Sequence, residues 1–276
     1  MRSVWRCGGG LVFGAIACWI VAIAHWAEAR AEDRGGQAQD DWGQIEIVPS
    51  TSHFELWAGA QAFKHAWSLY SGTTVAPFTG IQQDGLRLRM VGGYGAYTYA
   101  GPRAVGVGSQ TVNFRGNIAF TDALVGYHKQ LETLTVKVFA GVTTAQYRVQ
   151  PDDPETTIRG PGLGGKAALE TWWNISDRAW SSVDVSWGSL HDTYAARGRL
   201  GWRFLPTLSV GLEVGGAGNR ECDIVRVGGF LRYEWESGEL SASGGLSSDK
   251  VWQGAGRPDL AQSSAPFATL SWLARF

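Results

Sequence analysis

The sequence predicts an all-β protein: a closed antiparallel transmembrane β-barrel of about twelve strands, following an N-terminal signal peptide. Three observations lead there. Side chains alternate apolar and polar, segment after segment, from residue 53 onward. No stretch of ten or more residues in that region carries a convincing helical stripe. The composition adds 38 Gly, 14 Trp and only 18% charged residues in 276, a texture unlike an average soluble domain. With 44% hydrophobic and 12% aromatic residues, the chain must fold and bury rings. A net charge of -1, with no Lys/Arg block, leaves no electrostatic footprint for nucleic acid.

The elements follow in chain order. Arg2 and Arg6 precede an uncharged run of 17 residues from Gly8 to Ala24, and Ala27-Glu28-Ala29 follows it. This is the pattern of a secretory signal peptide over residues 1–29, cleaved after Ala29 or, as second choice, after Ala31. The run sits at the ~17-residue lower limit for a spanning helix, so an uncleaved anchor is the alternative; the small residues at its end favour cleavage. Cys18 lies inside the apolar run, which argues against a lipid-modified terminus. Residues 30–52 are polar and rich in Gly, Gln and Asp, and read as a mobile periplasmic leader with a short strand at Ile45 to Val48.

Residues 53–276 are expected to form the barrel, with strands at 53–63, 66–78, 85–100, 112–128, 134–149, 162–175, 179–189, 193–204, 208–219, 223–236, 239–248 and 265–276. Leu86, Leu88 and Met90 take one face against Arg87 and Arg89. Leu134, Val136, Val138, Ala140 and Val142 oppose Thr135, Lys137, Phe139 and Gly141. Leu200, Trp202 and Phe204 oppose Arg197, Arg199 and Arg203, and Leu212 and Val214 oppose Glu213. Val225, Val227, Leu231 and Tyr233 oppose Arg226, Phe230, Arg232 and Glu234.

A β-sandwich would share this period, so strand ends decide. Aromatic residues recur there on the apolar side (Trp173, Trp187, Tyr194, Trp202, Phe204, Tyr233, Trp235), as an interfacial girdle requires. Arginines on the opposite face suit a lumen and would be costly in a sandwich core. With both termini on one side, the connections near 79–84, 129–133, 176–178, 205–207 and 237–238 are short, and the long ones, 150–161 and 249–264, fall on the other side.

The final strand ends in Phe276 with Ala274, Trp272 and Leu270 on one face, and resembles the targeting strand of outer-membrane barrels read by the barrel assembly machinery. Leu270, Trp272 and Phe276 are therefore the expected assembly signal.

Signal removal leaves Cys222 alone, in a turn whose acidic neighbours disfavour a thiolate; an incidental loop cysteine is the preferred reading. Of the remaining histidines, His53, His65 and His128 sit at strand ends and read as incidental. His191, beside Asp192 and near Ser189, lies at an external rim where a hydrolytic site could stand, but adjacent residues generally point apart, and a surface loop histidine is the better reading. The run Asp152-Asp153-Pro154-Glu155 reads as a solvated loop, and no metal-ligand spacing occurs; no cofactor is expected. Gly92-Gly93-Tyr94-Gly95 continues a strand and precedes no helix, so its glycines read as room for rings such as Tyr97 and Tyr99 to lie over bare backbone.

The wet face carries Arg87, Arg89, Lys137, Lys166, Arg197, Arg199, Arg203, Arg226, Arg232 and Arg275 against Glu55, Glu170, Asp184, Glu213, Glu234 and Glu239. Two readings compete: an ion-pair network filling a narrow lumen, or a slightly basic channel whose Trp57, Tyr97, Tyr99 and Trp172 stack on sugar rings. Small barrels are usually filled, which favours the first.

At Gly85-Leu86-Arg87-Leu88-Arg89-Met90-Val91-Gly92-Gly93-Tyr94-Gly95-Ala96-Tyr97-Thr98-Tyr99, preceded by Glu55-Leu56-Trp57-Ala58-Gly59-Ala60, the chain resembles the BcsS family of bacterial cellulose biosynthesis proteins, from about residue 53 to the end. These are strand motifs rather than catalytic ones. The resemblance implies a process, cellulose production or export in a Gram-negative envelope, and carries over no reaction and no functional residue. The resulting expectation is a non-enzymatic outer-membrane accessory of cellulose secretion, in contact with outer-membrane lipid, the assembly machinery, and cellulose synthase or export components or the glucan chain itself. A lipid- or glycan-acting barrel hydrolase and a small-solute porin are the alternatives.

Overall fold

A computed structural model of the protein describes residues 52–105, 108–251 and 264–276. Residues 1–51, on which the expected signal peptide and all but the last residue of the expected leader (30–52) fall, lie outside the described residues, as do 106–107 and 252–263. The twelve strands are β1 (Phe54–Ala62), β2 (Ala66–Val75), β3 (Gly85–Val105), β4 (Gly108–Leu131), β5 (Leu134–Gln150), β6 (Gly160–Asn174), β7 (Ala179–Gly188), β8 (Thr193–Leu205), β9 (Leu208–Gly218), β10 (Cys222–Trp235), β11 (Gly238–Val251) and β12 (Ser264–Arg275). Each pairs antiparallel with its chain neighbours, and β12 closes on β1 with Glu55 opposite Arg275 and Ala62 opposite Ala268. Closure gives every strand two partners, so no row of backbone donors faces lipid.

The last residue takes part in the closure. Phe276 O accepts from His53 N at 2.7 Å and Phe54 N at 3.0 Å, and Phe276 N donates to Phe54 O at 2.9 Å. The side chains of Leu270, Trp272 and Phe276 all point outward and are exposed.

The period-two alternation becomes an inside and an outside. Leu88, Val138, Leu200, Leu212 and Val227 are exposed on the outer surface, whereas Arg89, Arg199 and Glu213, one residue away, are buried. Exposed aromatic residues ring both ends of this apolar belt: Phe54, Tyr127, Trp202, Phe204 and Tyr233 at the end that carries the termini, Trp67 and Trp187 at the far end. Rings of this kind sit at membrane–water boundaries, so the barrel spans a membrane.

Two connections depart from expectation. Residues 101–105 and 108–111 are no loop: β3 and β4 continue to Val105 and from Gly108, because the ladder from Gly101 opposite Val112 to Val105 opposite Gly108 satisfies their backbone groups. β2 stops at Val75, before Pro77, which has no N–H to offer a ladder. Residues 76–84 then fold against the terminus end, with Ala76 and Ile81 buried and their amides donating to His53 O and Ser52 O.

Large rings inside are seated on glycine. Trp180, wholly buried, lies over Gly201, and Tyr97 lies over Gly116; a Cβ at either glycine would collide with the ring.

Candidate functional site

The barrel interior has a filled half towards the termini and a cavity in the other half. At the terminus end Arg87 is not a lumen-lining charge. Its guanidinium donates to the carbonyls of Gly80 and Ile81 at 3.1 Å, to Leu86 O at 2.8 Å and to Gln83 O, tying down the β2–β3 connection. His128 Nδ1 lies 3.1 Å from Arg87 Nη2 and 3.2 Å from Ile81 O. This histidine, expected to be incidental, is therefore a buried part of the same plug. Arg203 likewise turns to the rim, donating to Asn174 Oδ1 at 2.9 Å and Asp177 O at 3.3 Å, and so holds the β6–β7 turn. An arginine near a strand end finds turn carbonyls that close the ladder no longer occupies, which period-two reading cannot foresee.

Above the plug lies a floor of interlocked ion pairs. Arg89 grips both oxygens of Glu170, three strands away, and its Nε donates to Thr74 Oγ1 at 3.0 Å. Its guanidinium lies 3.7 Å from the Phe139 ring centre. Lys137 and Arg275 approach Glu55 at 3.8 and 3.5 Å. Glu213, fully buried, takes Arg199 at 2.7 Å and Arg226 at 3.2 Å. Arg232 pairs with Glu234 at 2.7 Å and with Glu239. Buried charges are tolerated only when paired, and these are paired with one another.

Trp172 belongs to the floor, not to the cavity wall. One neighbour is Trp180, stacked at 4.1 Å, and the Arg232 guanidinium lies 4.5 Å from its ring centre. With its ring engaged by these two, it has no room for a sugar, and the expectation that it stacks on a glycan is corrected on that ground.

The cavity, about 1030 Å³, extends from this floor to the rim opposite the termini. Trp57, Tyr97 and Tyr99 line it, and Tyr70, Phe120 and Tyr147 join them. Tyr97 and Tyr99 stack at 6.2 Å, and Trp57 tilts against Tyr70 at 6.0 Å. Its wall carries two further pairs: Lys166 with Asp122 at 2.5 Å, and Arg197 with Asp184 at 2.7 Å. Asp122 escapes sequence reading because its neighbours two residues away, Phe120 and Leu124, are apolar; stepping by twos from His128 would have placed it on the inner face.

The loop 151–159 folds across the cavity's upper side. Asp153 is buried and accepts from Tyr99 Oη at 2.7 Å, which corrects its reading as part of a solvated run; Asp152 does stand exposed. Thr156 and Thr157 hydroxyls donate to Glu221 at 2.7 Å, joining this loop to the β9–β10 turn, and Ile158 packs with Ala145 and Tyr147.

His191 is half-buried rather than a free surface group. Its ring meets Tyr147 edge-on at 5.2 Å, partial burial together with Arg220 holds its pKa below the ordinary histidine value, and Asp192 pairs with Arg220 at 2.6 Å. Ser189 Oγ accepts from Gly165 N at 2.9 Å. His191, Asp192 and Ser189 thus each have different partners and do not converge. Among the described residues no group of His, Cys, Asp and Glu is arranged to hold a metal ion.

Residues 55–276 match the family described as cellulose biosynthesis protein BcsS. No curated protein matches the sequence. Among solved structures the fold is similar to LpxR from Salmonella typhimurium (TM-score 0.45, 12% identity, 80% of this chain and 100% of that one). It is also similar to an outer membrane channel from Pseudomonas putida F1 (0.44, 11%, 86% and 100%) and to the KdgM porin (0.40, 8%, 80% and 99%).

Proposed function

The chain belongs to the BcsS family of cellulose biosynthesis proteins, and from that premise we propose that it is a non-enzymatic outer-membrane accessory of cellulose production or secretion. The observation that carries the reading is that the interior charges are engaged with one another: Arg89 with Glu170, Arg199 and Arg226 with Glu213, Arg232 with Glu239. A general base needs a lone pair aimed at a substrate proton, and a porin needs an open section; groups held in mutual ion pairs across the lumen supply neither. In this reading residues 1–29 direct export and are removed after Ala29 or Ala31, residues 30–52 remain as a periplasmic leader, and residues 53–276 form the barrel. Leu270, Trp272 and Phe276 present the assembly signal to the barrel assembly machinery. The partners are outer-membrane lipid and the cellulose synthase or export components, or the glucan chain.

The test is a deletion strain scored for secreted cellulose against total glucan made, complemented with the wild-type gene and with His191→Ala. The expected result is reduced secreted cellulose, restored equally by both genes. Restoration by the wild type but not by His191→Ala would turn the reading towards a hydrolase, and unchanged secreted cellulose would remove it.

A further inference from the structure

We infer that the cavity is a blind-ended site for a neutral β-linked glucan oligosaccharide, entered from the rim opposite the termini and ending on the ion-pair floor. The choice of glucan rests on the cellulose reading above; the neutrality and the blind end rest on geometry alone. The volume, about 1030 Å³, stands at the upper end of the ~300–1,000 Å³ range of small-molecule sites, enough for several sugar rings. Trp57, Tyr70 and Tyr97 offer rings to the apolar C–H faces of a pyranose, and aromatic walls with a few polar groups are the usual make-up of such sites.

Charge selects the kind of sugar. Five Lys or Arg side chains and six Asp or Glu side chains line the cavity, so its wall has no cationic surplus to hold a uronate. One carboxylate is also incompletely used: Asp122 is buried, Lys166 takes Oδ2, and Oδ1 has no hydrogen-bond partner. Its negative charge lies just behind the wall, and a ligand carboxylate placed against that wall would be repelled by it.

The floor sets the depth. A chain threading onward to the terminus end would have to part Arg89 from Glu170 and pass Glu213, held between Arg199 and Arg226. It would then meet the Arg87 plug. The site therefore receives the end of an oligosaccharide rather than conducting a polymer.

The experiment is calorimetric titration of the full barrel, purified in a detergent whose headgroup carries no sugar, with cellobiose, cellotetraose, cellohexaose and tetragalacturonate. The expected result is saturable binding of cellotetraose, tightening at least fivefold from cellobiose and then levelling off, with tetragalacturonate at least tenfold weaker. Trp57→Leu and Tyr97→Leu, each first shown to keep the heat-modifiable migration of a folded barrel, should weaken cellotetraose at least tenfold. Absence of saturable binding by the wild type, equal or tighter binding of the uronate, or wild-type affinity in a folded variant would each overturn the inference. Loss of cellulose secretion on gene deletion without oligosaccharide binding would defeat this site and leave the cellulose reading standing; binding without a cellulose phenotype would do the reverse.

Discussion

Arg89 on β3 and Glu170 on β6 join through the barrel interior, 81 positions apart in sequence, with two hydrogen bonds between guanidinium and carboxylate. The pair braces strands that do not touch, since β4 and β5 lie between them on the wall. Removing one partner strands the other charge in a poorly solvated interior. Arg89→Met should therefore cost about 3 kcal/mol, at the lower end of the ~3–5 kcal/mol of fully buried pairs because Glu170 is 30% exposed to the cavity. The double variant Arg89→Met/Glu170→Met should recover most of it, read as unfolding midpoints in urea for the barrel in lipid vesicles. Equal destabilisation by the single and double changes would contradict the pairing.

The outer belt predicts a different loss. Leu212 is 67% exposed at mid-strand, and an arginine there would face hydrocarbon, so Leu212→Arg should cost ~2–4 kcal/mol in vesicles. The same change at Leu205, also outward but at the terminus end of β8, should cost no more than ~1 kcal/mol. A similar loss at both depths would argue against the membrane boundaries marked by the aromatic rings.

Gly201 has no space for a side chain, because the Trp180 ring rests on it. Gly201→Ala should displace that ring from its stack on Trp172 and cost ~1–3 kcal/mol, the usual range for overpacking. Near-ultraviolet circular dichroism would follow the tryptophan pair directly. An unchanged spectrum together with unchanged stability would contradict the close approach.

Deleting Phe276 removes its three backbone hydrogen bonds to His53 and Phe54, each worth ~0.5–1.5 kcal/mol, together with an outward aromatic ring. Heat-modifiable protein in outer membranes should fall, while cleavage of the signal peptide proceeds as before. Phe276→Tyr keeps the backbone and the ring and should retain wild-type amounts. Full insertion of the truncated chain would show that closure does not depend on this residue.

His191 supplies the pH dependence at the far rim. Its folded pKa lies below the ordinary ~6.5, first through burial and then through Arg220. The unfolded chain therefore takes up the proton more readily, so stability should fall as the pH drops through ~6.5 towards the lower folded pKa, and stay level above ~6.5. His191→Gln should flatten that slope. A histidine proton titration placing His191 above 6.5 would reverse the sign.

Residue-level facing was legible in the sequence because the strand period is local. Leu88 beside Arg89, and Leu212 beside Glu213, commit to opposite sides of any sheet that has one apolar face, whatever the partners. The twelve strands and the family resemblance share that origin: each rests on short stretches of chain read one at a time.

Partnership was not legible, because it depends on how twelve strands are staggered around a closed wall. That stagger brings Arg89 to Glu170, lays Arg232 over Trp172, and leaves Trp57 and Tyr97 facing a cavity while Trp172, of the same type and facing, is sealed under Trp180. It also brings Asp122, hidden among apolar neighbours on β4, against Lys166. Alternation determined which side chains enter the lumen. Only closure of the barrel decided which of them meet, because a contact across the interior joins residues whose separation along the chain carries no periodic signal.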